Sequence, residues 1–201
     1  ASDRPLPRSI VMYFPLYLIL LPFTHLLQRM QNLFVSETDS RAQKEEELRQ
    51  IVESETDSGT IEEEEREMIE GIFEFGDTTV KEVMVPRIDM VCAELSTSQD
   101  ELLDMIQQGR HSRIPVYKER VDHIEGVVYA KDLLEILRKG NSWAITDIMR
   151  EPYFAPENKK IDVLLREFKT NKVHMAIVIN EFGGTSGLVT FEDLIEEIVG
   201  E

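Results

Sequence analysis

Hydrophobic and polar positions divide the chain into stretches of different character. Ile10 to Leu27 is about 18 residues long without Asp, Glu, Lys or Arg, roughly the minimum for a helix to cross a bilayer core. It carries Pro15 and Pro22, which kink an isolated helix but are accommodated in a packed bundle. This span reads as a transmembrane helix from a larger bundle; a buried helix or a re-entrant interfacial segment is the other reading. From Ser36 the pattern turns polar, and Lys44 to Val52 predicts a short charged helix broken by Thr56-Asp57-Ser58-Gly59. Thr60 with Glu63 predicts a capping box. Met68, Ile69, Ile72, Phe73 and Phe75 follow at helical spacing, a stripe that needs a partner surface. Gly76-Asp77 closes this helix, so residues 36–76 read as an acidic helical connector.

Beyond it the pattern of strand, helix, strand, strand, helix occurs twice. In the first copy Met90 to Ala93, Arg113 to Tyr117 and Ile124 to Tyr129 predict strands, with helices opened by Ser98 and running from Lys131 to Leu137. In the second, Tyr153 to Ala155, Met175 to Asn180 and Gly187 to Thr190 predict strands, with helices over Ile161 to Phe168 and Phe191 to Val199. Matching phrases lie about 65 residues apart at Met84 and Met149 and about 61 apart at Asp132 and Asp193, which marks an internal repeat with a few loop residues lost. The runs Met175 to Ile179 and Gly126 to Val128 are nearly all apolar, as in strands covered on both faces. One copy is too small to be stable alone, so the two are expected to pack sheet against sheet with a cleft between them. The expected division is residues 1–35, the end of a membrane domain; 36–76, the connector; 77–140 and 141–201, the two copies.

Charge narrows the partners. The 201 residues carry a formal net charge of −17, which argues against nucleic acid, whose phosphates need a basic footprint. Glutamates concentrated from Glu45 to Glu70 could sense divalent cations, but without fixed oxygen geometry a solvated face is the favoured reading. The single cysteine, Cys92, excludes an internal disulfide and reads as a small core residue. His111 and His174 fall at matching places and read as sharing a structural role at strand starts. His25 lies in the apolar span, facing an ion path or the interface. Met84, Met149 and Met175 read as core. No Ser-His-Asp, Cys-His or metal-ligand spacing stands out, so no catalytic centre is expected.

The repeat, with a Gly-apolar-Val strand running into Thr-x-x-Asp at a helix start, resembles a CBS-domain pair, also called a Bateman module, of mixed α/β (α+β) class. Three phrases narrow it: Val83-Met84-Val85-Pro86-Arg87-Ile88-Asp89, His111-Ser112-Arg113-Ile114-Pro115-Val116-Tyr117, and Glu181-Phe182-Gly183-Gly184-Thr185 followed by Glu192 to Glu201. They resemble the CorC and HlyC group of magnesium and cobalt efflux proteins, relatives of the animal cyclin-M transporters. The likeness is dense over residues 36–201 and weaker over 1–35. That group has several membrane spans where this sequence shows one, and many members continue past the point matching Glu201, so the sequence reads as a fragment.

The resemblance implies an adenine nucleotide, ATP or its AMP or ADP relatives, in the cleft, with magnesium as counter-ion. Thr190 and Asp193 stand where a strand ends and a helix begins, and free backbone N–H groups there suit a phosphate. Thr190 would donate to phosphate and Asp193 would accept ribose hydroxyls, although Thr190-x-x-Asp193 also reads as an ordinary capping box. Arg113 is the candidate phosphate cation, and Val85, Ile88, Ile114 and Pro115 are candidate apolar walls. The first copy has Tyr129-x-x-Asp132 instead, so one good site is expected. The resemblance further implies a homodimer, a membrane transport domain as partner, and a cell-membrane location with the pair on the cytoplasmic side. The leading expectation is a non-enzymatic regulatory nucleotide module. An enzyme-associated nucleotide sensor and a purely structural dimerisation unit are the alternatives.

Overall fold

Residues 37–139 and 143–200 are described by the structure, a computed structural model. The proposed membrane span, Ile10 to Leu27, lies outside them. Among the described residues no helix is long and apolar enough to cross a membrane. The chain divides into two units, one ending at Thr60 and the other running from Ile61.

In the first unit, helix α1 (Glu37–Asp57) is longer than the Lys44 to Val52 expected. Its surface is held by pairs one turn apart, Arg49 to Glu45 at 3.2 Å and Gln50 to Glu46 at 3.3 Å, each worth only a few tenths of a kcal/mol. Thr60 does not cap the next helix. The chain turns first, with Ser58 and Thr60 hydroxyls 2.9 Å apart.

The second unit opens with α2 (Glu63–Phe75), whose N-cap is Glu62; its backbone N–H donates to the Glu65 carboxylate at 3.0 Å. The box thus sits two residues later than predicted, because helical dihedrals begin only once the turn is complete. Arg66 pairs with Glu63 and Glu70 on the same helix, and hydrogen bonding to Arg66 holds the Glu63 carboxyl below its ordinary value. A short helix α3 (Val80–Val83) and strand β1 (Val85–Pro86) follow.

The first copy is β2 (Ala93–Glu94), α4 (Gln99–Gly109), β3 (Arg113–Lys118), β4 (Arg120–Tyr129) and α5 (Ala130–Lys139). The second is β5 (Phe154–Pro156), α6 (Ile161–Asn171), β6 (Met175–Ile179), β7 (Thr185–Thr190) and α7 (Phe191–Val199). The order in each is the one predicted. In both copies the first two strands are parallel across a helix and the last two form an antiparallel hairpin. Helices α4 and α6 end alike, on left-handed Arg110 and Lys172, and the backbone N–H groups of Ala130 and Phe191 donate to Ser112 and His174 carbonyls, both at 3.0 Å. Register therefore matches His174 with Ser112, not with His111. The His174 ring lies 5.3 Å from that of Phe191.

The copies are exchanged at their leading ends. Sheet order β1-β7-β6-β5 places β1, which precedes the first copy, on the second copy's sheet, Val85 opposite Leu188 and Pro86 opposite Gly187. Reciprocally, Arg150, which precedes the second copy, bridges Val127 on β4 of the first. The cores are exchanged as well. Phe75 and Val80 are buried with Leu164, Phe168, Val178 and Leu194 of the second copy, while Trp143, Ile145 and Ile148 are buried with Leu102, Ile114 and Val128 of the first. Helix α2 approaches α7 so closely that a Cβ on Gly71 would stand 2.7 Å from the Glu197 carbonyl oxygen.

Between the copies the sheets meet face to face, as the apolar strands implied. Ile124 and Val127 of β4 pack there against Met175, Ile177 and Leu188 of β6 and β7. Thr185, the one buried polar residue among those described, donates its hydroxyl across this interface to the Asp122 carbonyl at 3.3 Å.

Phe168 is 1 % exposed, and its ring meets that of Tyr153 edge-on at 6.3 Å. Phe168→Ala is expected to lower unfolding free energy by about 3–5 kcal/mol through lost apolar burial and the cavity left behind. Urea denaturation monitored by circular dichroism measures it.

Candidate functional site

At the end of β7 Thr190 is half-buried, extended (φ −107°, ψ 166°), and serves as N-cap of α7. Its hydroxyl oxygen accepts from the Asp193 N–H at 3.2 Å, and the Asp193 carboxylate Oδ2 accepts from the Thr190 N–H at 2.7 Å. The capping-box reading of these two residues is thus correct. It uses one lone pair of the hydroxyl and one carboxylate oxygen, leaving a hydroxyl proton and Oδ1 to serve a ligand.

Arg113 reaches this helix start from the other copy. It begins β3, its side chain is 17 % exposed, and Nη1 lies 3.6 Å from Oε1 of Glu192 in the first turn of α7. Its Nε is buried and has no hydrogen-bond partner. A buried donor left unmade costs about 1–3 kcal/mol, so the guanidinium sits where an acceptor is wanted. Glu192, its ion-pair partner, was not singled out by sequence reasoning; its place beside Asp193 in the first turn was the available signal.

Val85 joins the same region through β1, half-buried against the cluster between the sheets. Pro115 is buried opposite Val127, on the sheet face turned to that cluster. One expected wall lies elsewhere. Ile114 is 0 % exposed inside the first copy's own core, because strand alternation turns it away from its neighbour Pro115. Ile88, in the 3₁₀ turn Arg87–Asp89 that lies against β7, is 91 % exposed.

Cys92 is half-buried, and loss of hydration pushes its thiol up to about 11, so it stays protonated at neutral pH and is a poor nucleophile. Among the described residues no three His, Cys, Asp or Glu side chains gather to hold a metal ion.

Two βαββα copies, exchanged at their leading ends and joined sheet to sheet around a helix start, define a tandem α/β repeat module. The CBS-domain family matches at residues 80–139 and 145–200, and the chain belongs to it. It is 45 % identical over 137 residues to the magnesium and cobalt efflux protein CorC of Escherichia coli K12, covering 68 % of this chain and 47 % of that protein. CorC of Vibrio cholerae is 40 % identical over 177 residues, covering 87 % of this chain and 59 % of its own length. The chain thus spans about half the length of the curated relatives it matches. Among solved structures, the CBS domain of the bacterial CNNM/CorC family Mg2+ transporter in complex with ATP is 52 % identical, with a TM-score of 0.63, covering 68 % of this chain and 98 % of that one. A second structure of the CBS domain of the bacterial CNNM/CorC family Mg2+ transporter is 50 % identical, with a TM-score of 0.70, covering 78 % of this chain and 96 % of that one. These relatives are named for transport, and CBS pairs of this kind are not enzymes.

Proposed function

We propose that this pair is the regulatory module of a magnesium and cobalt efflux protein and that it binds an adenine nucleotide, as Mg-ATP, between its copies. Thr190 donates to phosphate, Asp193 accepts ribose hydroxyls, Arg113 supplies positive charge, and Val85 and Pro115 flank the base. The observation that carries this reading is the buried, unpartnered Nε of Arg113, brought from one copy to the Thr190 helix start of the other. The ATP complex of a relative 52 % identical supports it. Bound nucleotide would favour one relative arrangement of the copies, and the helices ahead of them would pass that arrangement to a membrane transport domain on whose cytoplasmic side the pair lies. A homodimer of pairs is part of the proposal.

Magnesium enters with the phosphates. Glu192 stands in the first turn of α7, 64 % exposed, and the whole chain is acidic, so an uncompensated triphosphate meets repulsion. ATP affinity is expected to rise about tenfold, or ~1.4 kcal/mol, when magnesium is added. Isothermal titration with and without the metal measures this, and equal affinities would refute the counter-ion role.

A further inference from the structure

The correspondence between the halves reveals a difference at one position. Val85 and Arg150 are equivalents: each is the residue that lays the chain ahead of one copy against the hairpin of the other, Val85 opposite Leu188 and Arg150 opposite Val127. The backbone of Arg150 exchanges two hydrogen bonds with Val127, at 2.9 and 3.0 Å. Tyr129 and Thr190 end the equivalent strands, and Asp132 and Asp193 stand three residues on.

Val85 carries no group that could pair with Asp193. Arg150, by contrast, closes over the first copy's helix start. Its guanidinium carbon lies 4.6 Å from the Tyr129 ring centroid, its Nε donates to Asp132 Oδ2 at 2.9 Å, and its Nη2 donates to Oδ1 at 2.9 Å and to Oδ2 at 2.7 Å. Arg113 and Lys131 also face the Tyr129 ring, at 5.7 and 5.6 Å.

We infer that Arg150 is the residue that confines the pair to a single nucleotide, because it occupies the first copy's cleft from within. Asp132 is the counterpart of the ribose acceptor, and both its oxygens are taken by a planar fork matched to a carboxylate. The ring face that a sugar or base would meet is covered by the same cation. Arg150 is 52 % exposed and Asp132 26 %, so the ion pair itself stabilises the fold little. Exclusion comes from the space and the acceptors that the guanidinium uses.

This inference rests on the nucleotide reading of the opposite cleft, so the experiment separates the two. The full 201-residue chain and its Tyr129→Thr/Arg150→Val double variant, which copies the Thr190 and Val85 side of the pair, are titrated with Mg-ATP by calorimetry. The expected result is one nucleotide per wild-type chain and two per variant chain, with Thr190→Ile added to the variant returning it to one. Should Arg150→Val impair folding, Tyr129→Thr/Arg150→Gln keeps much of the side-chain length without the fork and is expected to show the same gain. A wild-type chain that binds two nucleotides, or a folded variant that binds no more than wild type, overturns the inference. If wild type binds none and the variant one, the Thr190 reading fails and the role of Arg150 stands.

Discussion

Thr190→Ile is expected to weaken adenine-nucleotide binding about a hundredfold, which corresponds to ~2.7 kcal/mol. Two losses combine. The hydroxyl that accepts from the Asp193 N–H disappears, and removal of a helix cap costs about 1 kcal/mol. The donor to phosphate disappears with it, and a hydrogen bond to a charged group is worth about 1.5–3 kcal/mol. Isoleucine is at ease in extended backbone at a strand end, so the fold is expected to survive with a modest drop in melting temperature. Thr190→Ser restores the hydroxyl on a smaller side chain and should restore most of the affinity. Calorimetric titration of the three proteins, alongside their melting temperatures, decides the matter. An unchanged dissociation constant in a folded Thr190→Ile chain would place the ligand elsewhere.

The largest stability effect outside the core is expected at a glycine. A Cβ on Gly187 would lie 2.3 Å from the backbone carbonyl oxygen of Val85 and 3.0 Å from Met84 Sδ. Backbone cannot step aside cheaply, so Gly187→Ala must push β1 off β7, and overpacking of this kind costs about 3 kcal/mol. For a unit of this size that is a fall of roughly 6–12 °C in melting temperature. Gly126 is its equivalent, but there an added Cβ meets the Met149 side chain, with Sδ at 2.9 Å and Cβ and Cγ at 3.0 Å. The Met149 Sδ and Cγ can swing away and its Cβ need yield only a few tenths of an ångström, so Gly126→Ala is expected to cost about 1 kcal/mol. Comparing the two melting curves tests the asymmetry; equal losses would show that the β1 crossing is not what makes Gly187 sensitive.

Sequence patterning revealed the repeat, the order of elements in each copy and the meeting of apolar strands, because period and apolar run length follow directly from burial. It also singled out Thr190, Asp193 and Arg113, whose residue types carry their chemistry wherever the chain places them. The exchange of leading segments was not legible. A two-residue strand such as Val85–Pro86 has no period, and nothing in Phe75 or Trp143 says which copy's core receives it. Ile114 and Pro115 show the same limit. Both are apolar neighbours, and only strand register decides that one faces its own core and the other the partner sheet. His111 and His174 share a residue type but not a register, because the left-handed helix ends at Arg110 and Lys172, which carry no sequence signal of their own, set the start of each strand.

The exchange also has a consequence for synthesis on the ribosome. Phe75 leaves the exit tunnel roughly 120 residues before Leu194, its companion in the second copy's core, an interval of about 6–25 s at ordinary elongation rates. Throughout that interval the apolar stripe of α2 has no lid, and its crowding glutamates, Glu62 to Glu65 with Glu67 and Glu70, are placed to oppose premature association by charge. The acid of this helix is thus expected to keep the nascent chain soluble during the wait for α7.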